Sequence, residues 1–189
     1  MQNERVITDR PSEEIMNMIA KARRLTKEYY LTDYENREKR RAIISELFGR
    51  IGTNIEIDTP FYCNYGKNIS LGNNVIININ CTFIDDSEIT IGNNVLIASN
   101  VQLYTASHPA APRERMIDDW ETKGTAWFRT YSEPITIEDG VWLGGGVIVL
   151  PGVVIGKNSV IGAGSVVTRS IPANCVAVGN PCRPIRFLD

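Results

Sequence analysis

Ile137-Glu-Asp-Gly-Val-Trp-Leu143-Gly-Gly-Gly-Val-Ile-Val149-Leu-Pro-Gly-Val-Val-Ile155-Gly-Lys-Asn-Ser-Val-Ile161-Gly-Ala-Gly-Ser-Val-Val167 returns an aliphatic residue every six positions without a break. Gly144, Gly156 and Gly162 directly follow three of these, and Val141, Val147 and Val153 stand four places after the first three. Six is neither the 3.6 of a helix nor the 2 of a half-buried strand. It is the period of a coil with flat faces, one inward aliphatic per face and a corner after each, stacked as a parallel β-helix.

The rhythm extends upstream. Ile51-Gly-Thr-Asn-Ile55, Leu71-Gly-Asn-Asn-Val75 and Ile91-Gly-Asn-Asn-Val95 are copies spaced by 20. Within them the six-step runs Ile51, Ile57, Cys63, Ile69, then Leu71, Ile77, Phe83, Ile89, then Ile91, Ile97, Leu103. Downstream, Ile137 to Ile155 is 18, three faces of six; Ile91 to Ile137 is 46, one 20-residue coil plus 26 more. An inserted loop is therefore expected at about 104–134. Gly and Asn at the corners suit backbone that turns through positive φ.

Residues 1–50 are of another kind, nearly free of glycine and dense in charge. Ile15, Met18, Ile19, Ala22 and Leu25 have helical spacing behind a capping Ser12. Thr32 and Glu35 read as a capping box before a second helix with Ile43, Ile44, Leu47 and Phe48. The expected organisation is a helical segment over 1–50 covering one end of a β-helix over 51–187. Asn180-Pro-Cys-Arg-Pro-Ile-Arg186 is expected to leave the ladder, because Pro181 and Pro184 lack the donor. Periodicity does not choose the hand of the coil, but short faces with a strict six-step favour the left-handed triangular form.

Twenty basic and 22 acidic residues leave a net charge of −2, which gives no support for a nucleic-acid or membrane-surface role. No apolar run approaches membrane-spanning length, and a cytoplasmic location is expected. Cys63, Cys81, Cys175 and Cys182 follow no ligand spacing and read as ordinary small residues. His108 is the only histidine, so a three-histidine zinc site of the kind found in β-helix carbonic anhydrases is excluded, and no metal is expected.

His108 opens the expected loop, and Pro109 biases its backbone towards extended geometry. Long loops on rigid scaffolds tend to carry function, and an imidazole is suited to accept a proton near neutral pH. Asn78, Asn80, Asp85 and Asp86 lie on the preceding coil; they read equally as turn residues and as contacts for sugar hydroxyls. Trp142 with Gly144, Gly145 and Gly146 could wall a groove for an extended thiol arm, or be turn glycines beside a packed aromatic. Thr168-Arg169, Arg183 and Arg186 gather positive charge suited to phosphates.

Phe61-Tyr-Cys-Asn-Tyr-Gly-Lys-Asn-Ile69, Ile84-Asp-Asp86, Ile91-Gly-Asn-Asn-Val-Leu-Ile-Ala98, Ser107-His-Pro109, Pro134-Ile-Thr-Ile137, Val141-Trp-Leu-Gly144, Ile161-Gly-Ala-Gly-Ser-Val-Val-Thr168 and Gly179-Asn-Pro-Cys-Arg183 together resemble the maltose/galactoside O-acetyltransferase family, in the same order along the chain. The resemblance implies a homotrimer of left-handed parallel β-helices with acetyl-CoA in the groove between neighbours and a sugar as acceptor. It implies His108 as general base, Asn78 beside the acetyl and acceptor groups, and Asp86, Asn64 and Asp9 as sugar contacts, with Asn64 where the galactoside enzyme has a small hydroxyl residue. Trp142, Gly145, Ala163, Thr168, Arg169, Arg183 and Arg186 become cofactor contacts, Gly145 having no side chain to bond with. The loop from His108 to Pro134 is longer than in the family and carries Trp120, Trp127, Phe128 and Tyr131, which bears on sugar preference. Two alternatives stand beside this reading: transfer to a non-sugar or amino-sugar acceptor such as a serine-like alcohol or an antibiotic, and a non-catalytic β-helix used for binding.

Overall fold

The computed structural model describes residues 6–8 and 13–189. A short strand β1 (Val6–Thr8) comes first, then helices α1 (Glu13–Leu31) and α2 (Arg37–Leu47). The first coil follows as β2 (Arg50–Ile51), β3 (Ile55–Ile57) and β4 (Phe61–Cys63), the second as β5 (Ile69–Leu71), β6 (Val75–Ile77) and β7 (Cys81–Ile84), the third as β8 (Ile89–Ile91), β9 (Val95–Ile97) and β10 (Gln102–Tyr104). The chain then departs through β11 (Ala106–Ser107), the short helices α3 (Pro112–Arg115) and α4 (Trp120–Lys123), and β12 (Thr130–Ser132). It resumes with β13 (Ile135–Ile137), β14 (Trp142–Leu143) and β15 (Ile148–Val149), then β16 (Val154–Ile155), β17 (Val160–Ile161) and β18 (Val166–Val167), and ends in β19 (Cys175–Gly179) and β20 (Cys182–Phe187). The loop occupies the interval that the repeat arithmetic left open.

Three parallel sheets form the faces of a left-handed prism of about six turns. Face one stacks β2-β5-β8-β13-β16, face two β3-β6-β9-β14-β17-β19 with β20 added at its end, and face three β4-β7-β10-β15-β18. The register aligns the six-step residues of successive coils. Ile57, Ile77, Ile97, Leu143, Ile161 and Ala177 stand in one column, and Cys63, Phe83, Leu103, Val149 and Val167 in another. All but Cys63, which is half-buried, are buried. Each face thus contributes one apolar layer to a close-packed interior. At the corners Asn54, Asn74 and Asn94 adopt positive φ, and their side-chain amides bond from coil to coil at 3.0 and 2.8 Å. Gly144 lies so close to the next coil that a Cβ there would meet the Ala163 backbone nitrogen at 2.6 Å.

Ala22, Leu25, Tyr29, Ile43, Ile44, Leu47 and Phe48 are buried and continue the core of the prism, with Phe48 edge-on to Phe61 at 5.8 Å. Arg40 ties the two parts together. Its buried guanidinium donates to the carbonyls of Tyr29, Thr32 and Ile57 and lies 3.9 Å above the Tyr29 ring.

Two expectations are corrected. Thr32 and Glu35 do not box the second helix: Thr32 Oγ1 donates back to Glu28 O at the end of α1, and Asn36 is the cap, accepting from Lys39 N at 3.1 Å. Asn at that position competes well as an N-cap. The tail also does not leave the ladder. β20 pairs antiparallel with β19, Pro184 facing Ala177 where the register shifts, so the proline falls at an irregularity on an outermost strand, where a missing donor is tolerated. Ser12 lies outside the described residues. Among those residues no helix is long and apolar enough to cross a membrane.

Candidate active site

The edge where face three turns into face one carries the first group of side chains. Asn64, Asp86 and His108 come after the face-three strands of the first three coils, and Thr168-Arg169 after that of the fifth. Asp86 accepts from Asn64 Nδ2 at 2.7 Å and from the Tyr65 hydroxyl at 3.3 Å. Beneath it Asp85 is buried. Its Oδ1 accepts from the backbone N–H groups of Asn64 and Tyr65, both at 2.9 Å, while its Oδ2 has no hydrogen-bond partner. Burial raises the Asp85 carboxyl to about 6, against the pull of those backbone bonds, and burial with the neighbouring Asp86 pushes the Tyr65 phenol up to about 12. Asp85 therefore fixes the 64–65 backbone, and that backbone presents the two side chains that hold Asp86.

His108 leaves the same edge one coil higher and is exposed. Its Nδ1 lies 2.8 Å from the carbonyl oxygen of Arg129. A carbonyl only accepts, so Nδ1 carries the proton and Nε2 keeps its lone pair. The segment that supplies this carbonyl is braced. Strand β12 pairs with β11 on one side and β1 on the other. Arg129 N donates to Arg115 O at 2.7 Å, and the Arg115 guanidinium donates to the carbonyls of Pro109 and Ala110 at 3.1 Å. Phe128 stands edge-on to the imidazole with centroids 5.2 Å apart. A cavity of about 520 Å³ lies between Asn64, Tyr65 and Asp86 on the prism side and Trp120, Trp127 and Phe128 on the loop side.

The family model described as "Bacterial transferase hexapeptide (six repeats)" matches residues 134–169, and the one described as "Maltose acetyltransferase hexapeptide capping motif" matches residues 10–52. The galactoside O-acetyltransferase of Escherichia coli K12 is 44% identical over 152 residues, covering 80% of this chain and 70% of its own. The chain belongs to the maltose/galactoside O-acetyltransferase family. Among solved structures, a galactoside acetyltransferase in complex with coenzyme A superposes with a TM-score of 0.87 at 40% identity, covering 97% of this chain and 86% of that one. A maltose O-acetyltransferase from Clostridium difficile 630 gives 0.84 at 42%, covering 94% and 90%. The protein is an acetyltransferase.

The remaining residues that family resemblance singled out fall on a different edge. Asn78, Gly145 and Ala163 lie where face two turns into face three, on coils linked by the backbone bonds of Asn78 N to Ile97 O, Ala98 N to Leu143 O and Gly144 N to Ile161 O. Asn78 Oδ1 accepts from Ile79 N at 2.8 Å, which leaves the NH2 as its outward donor. Trp142 is half-exposed on the outer side of face two, in register with Leu96 and Val160. Arg183 and Arg186 stand exposed on β20. Asn80 is a corner residue at positive φ. His108 and Asn78 thus lie on two different edges of the prism. Asp9 lies outside the described residues. Among those residues no three His, Cys, Asp or Glu side chains gather as a metal site would require.

Sequence reasoning passed over Asp85 as a structural acid, Tyr65 as a second hold on Asp86, and the Arg129 carbonyl. Asp85 had a signal: Cys81, Phe83 and Asp85 continue one period-2 inward register, so an acid there had to be buried. The Arg129 carbonyl had none, since backbone oxygens carry no sequence mark.

Proposed function

We propose that this member of the family transfers the acetyl group of acetyl-CoA to a sugar hydroxyl, with His108 as general base. The observation that carries the reading is the bond from His108 Nδ1 to the Arg129 carbonyl. It supports the reading because, in the neutral ring, it leaves Nε2 suited to accept a proton on the edge that also bears Asp86 and Asn64. Those two supply an anionic acceptor and an amide suited to holding sugar hydroxyls. Nε2 takes the proton as the hydroxyl oxygen attacks the thioester carbonyl. The negative charge that develops on the carbonyl oxygen is met by a donor, for which the outward NH2 of Asn78 is suited. As the tetrahedral intermediate collapses, the C–S bond breaks and the imidazolium returns its proton to the departing thiolate. Trp142 offers an apolar wall to the pantetheine arm, Gly145, Ala163 and Thr168 leave room along it, and Arg169, Arg183 and Arg186 suit the phosphates.

Two half-sites on separate edges favour an assembly in which the His108 edge of one copy meets the Asn78 edge of the next. Face two supports this with the exposed apolar column Ile76, Leu96 and Trp142, since such patches mark association surfaces. A closed ring of three prisms, the homotrimer, answers both features. Dependence on acetyl-CoA supports a cytoplasmic location.

Coenzyme A release with acetyl-CoA and a panel of sugars, amino sugars and open-chain alcohols tests the reading. Sugars are expected to be acetylated, and His108→Ala is expected to lose at least ~10² in kcat while its melting temperature still rises with added CoA. Wild-type turnover in that variant removes the imidazole from the chemistry.

A further inference from the structure

The inserted segment returns over the site instead of projecting away from it. Met116 and Phe128 form an antiparallel bridge, Ile117 N donates to Trp127 O at 3.0 Å, and Ile117 is buried. This small hairpin sets Trp120, Trp127 and Phe128 across the cavity from Asp86. Phe128 meets Trp127 edge-on at 4.9 Å and His108 edge-on at 5.2 Å, so an unbroken aromatic series ends at the base. Trp127 is 54% and Trp120 41% exposed. Two indoles left this open at the mouth of a cavity have apolar faces still to be covered.

The cavity therefore sets a carboxylate, an amide and a phenol on the prism wall across from aromatic faces on the loop wall, with Ile15 and Ile19 of α1 also lining it. We infer that Trp127, assisted by Trp120, selects cyclic over open-chain acceptors by covering the flat C–H face of a sugar ring while Asp86 and Asn64 take its hydroxyl edge. A pyranose has both kinds of surface in one rigid body. An open-chain alcohol has hydroxyls but no flat face, and leaves the indole wet. This deepens the assignment of a sugar hydroxyl as acceptor and rests on it.

The test compares a methyl pyranoside with an open-chain polyol, in the wild-type protein and in Trp127→Ala, Trp120→Ala and Trp127→Phe. The ratio of kcat/KM, pyranoside over polyol, is expected to fall at least tenfold in Trp127→Ala through KM for the pyranoside. KM for acetyl-CoA stays at the wild-type value, and Trp127→Phe recovers most of the ratio. Trp120→Ala is expected to lower the ratio in the same direction. An unchanged ratio in both alanine variants, or parallel loss on both acceptors, overturns the inference. Saturation-transfer NMR reads the wall without turnover: irradiating the aromatic protons of the wild-type protein should saturate the ring C–H protons of the pyranoside, and this should vanish in Trp127→Ala. If no sugar is acetylated, the sugar-transfer assignment fails. The wall then stands on saturation lost in the variant, and is overturned by its absence in the wild-type protein.

Discussion

Asp85 is the residue whose environment departs furthest from its sequence neighbours. Asp86 beside it is half-buried and bonded to two side chains; Asp85 is buried and has one oxygen without a partner. Its carboxyl sits near 6 in the fold, against about 3.9 in an unfolded chain. A raised carboxyl favours the fold while it is neutral, so this contribution is complete below about pH 3.9 and is lost as the pH rises through about 6. Asp85→Asn keeps an oxygen for the Asn64 and Tyr65 amides and removes the charge. Urea titrations should find the variant equal to the wild-type protein near pH 4 and more stable at pH 8, by roughly 3 kcal/mol for a shift of about two units. Parallel stability curves across that range would mean that the carboxyl titrates alike in the folded and unfolded chain and that burial does not raise it. Cys63, whose thiol is pushed up by burial and by the Asp85 charge, is correspondingly expected to resist alkylation in the folded protein.

Among the elements, α1 and α2 are held to the prism by a buried polar knot. From α2, Arg40 reaches the carbonyls of Tyr29 and Thr32 at the end of α1 and of Ile57 on the first coil, and the Tyr29 hydroxyl shares Ile57 O at 2.8 Å. Removing the guanidinium takes a charged donor from three buried carbonyls, and charged hydrogen bonds contribute about 1.5–3 kcal/mol each. Arg40→Ala should cost on the order of 3 kcal/mol and lower the melting temperature by roughly 10 °C. Arg40→Lys should recover little, because a point charge cannot span the three oxygens. Calorimetry of the two variants distinguishes this from a generic loss of bulk. The elements also show which features the chain made legible. The three faces could be read because each inward position repeats at six and each coil copies the last. The loop could be read as the gap in that count. The cap at Asn36 was misread because Thr32 also has a hydroxyl in range of a helix start, and only the end of α1 decides between them. The strand at β20 was misread because a proline forbids a central ladder but not an outermost one. Strand β1 could not be read at all: three residues find their partner in β12 more than 120 positions later, and nothing local announces it.

At the scale of the whole molecule, the proposed mechanism draws on two edges that one prism keeps apart. Leu96 lies at the centre of the exposed column on face two, between Ile76 and Trp142. Leu96→Glu should therefore leave the far-ultraviolet circular dichroism unchanged while sedimentation shows monomers, with turnover lost in the same samples. A trimer with full activity in that variant would place the contact on another face.

Ile84 and Tyr104 are in register across neighbouring coils of face three, so Asp86 and His108 issue from turns of the spiral one rung apart. A rung in such a stack is about 4.8 Å, close to the width of one sugar ring. The staircase thus works as a gauge, setting how far the hydroxyl to be activated can lie from the one that is held. Residues added within a tread leave that measure alone, and only a whole extra tread between the two would change it.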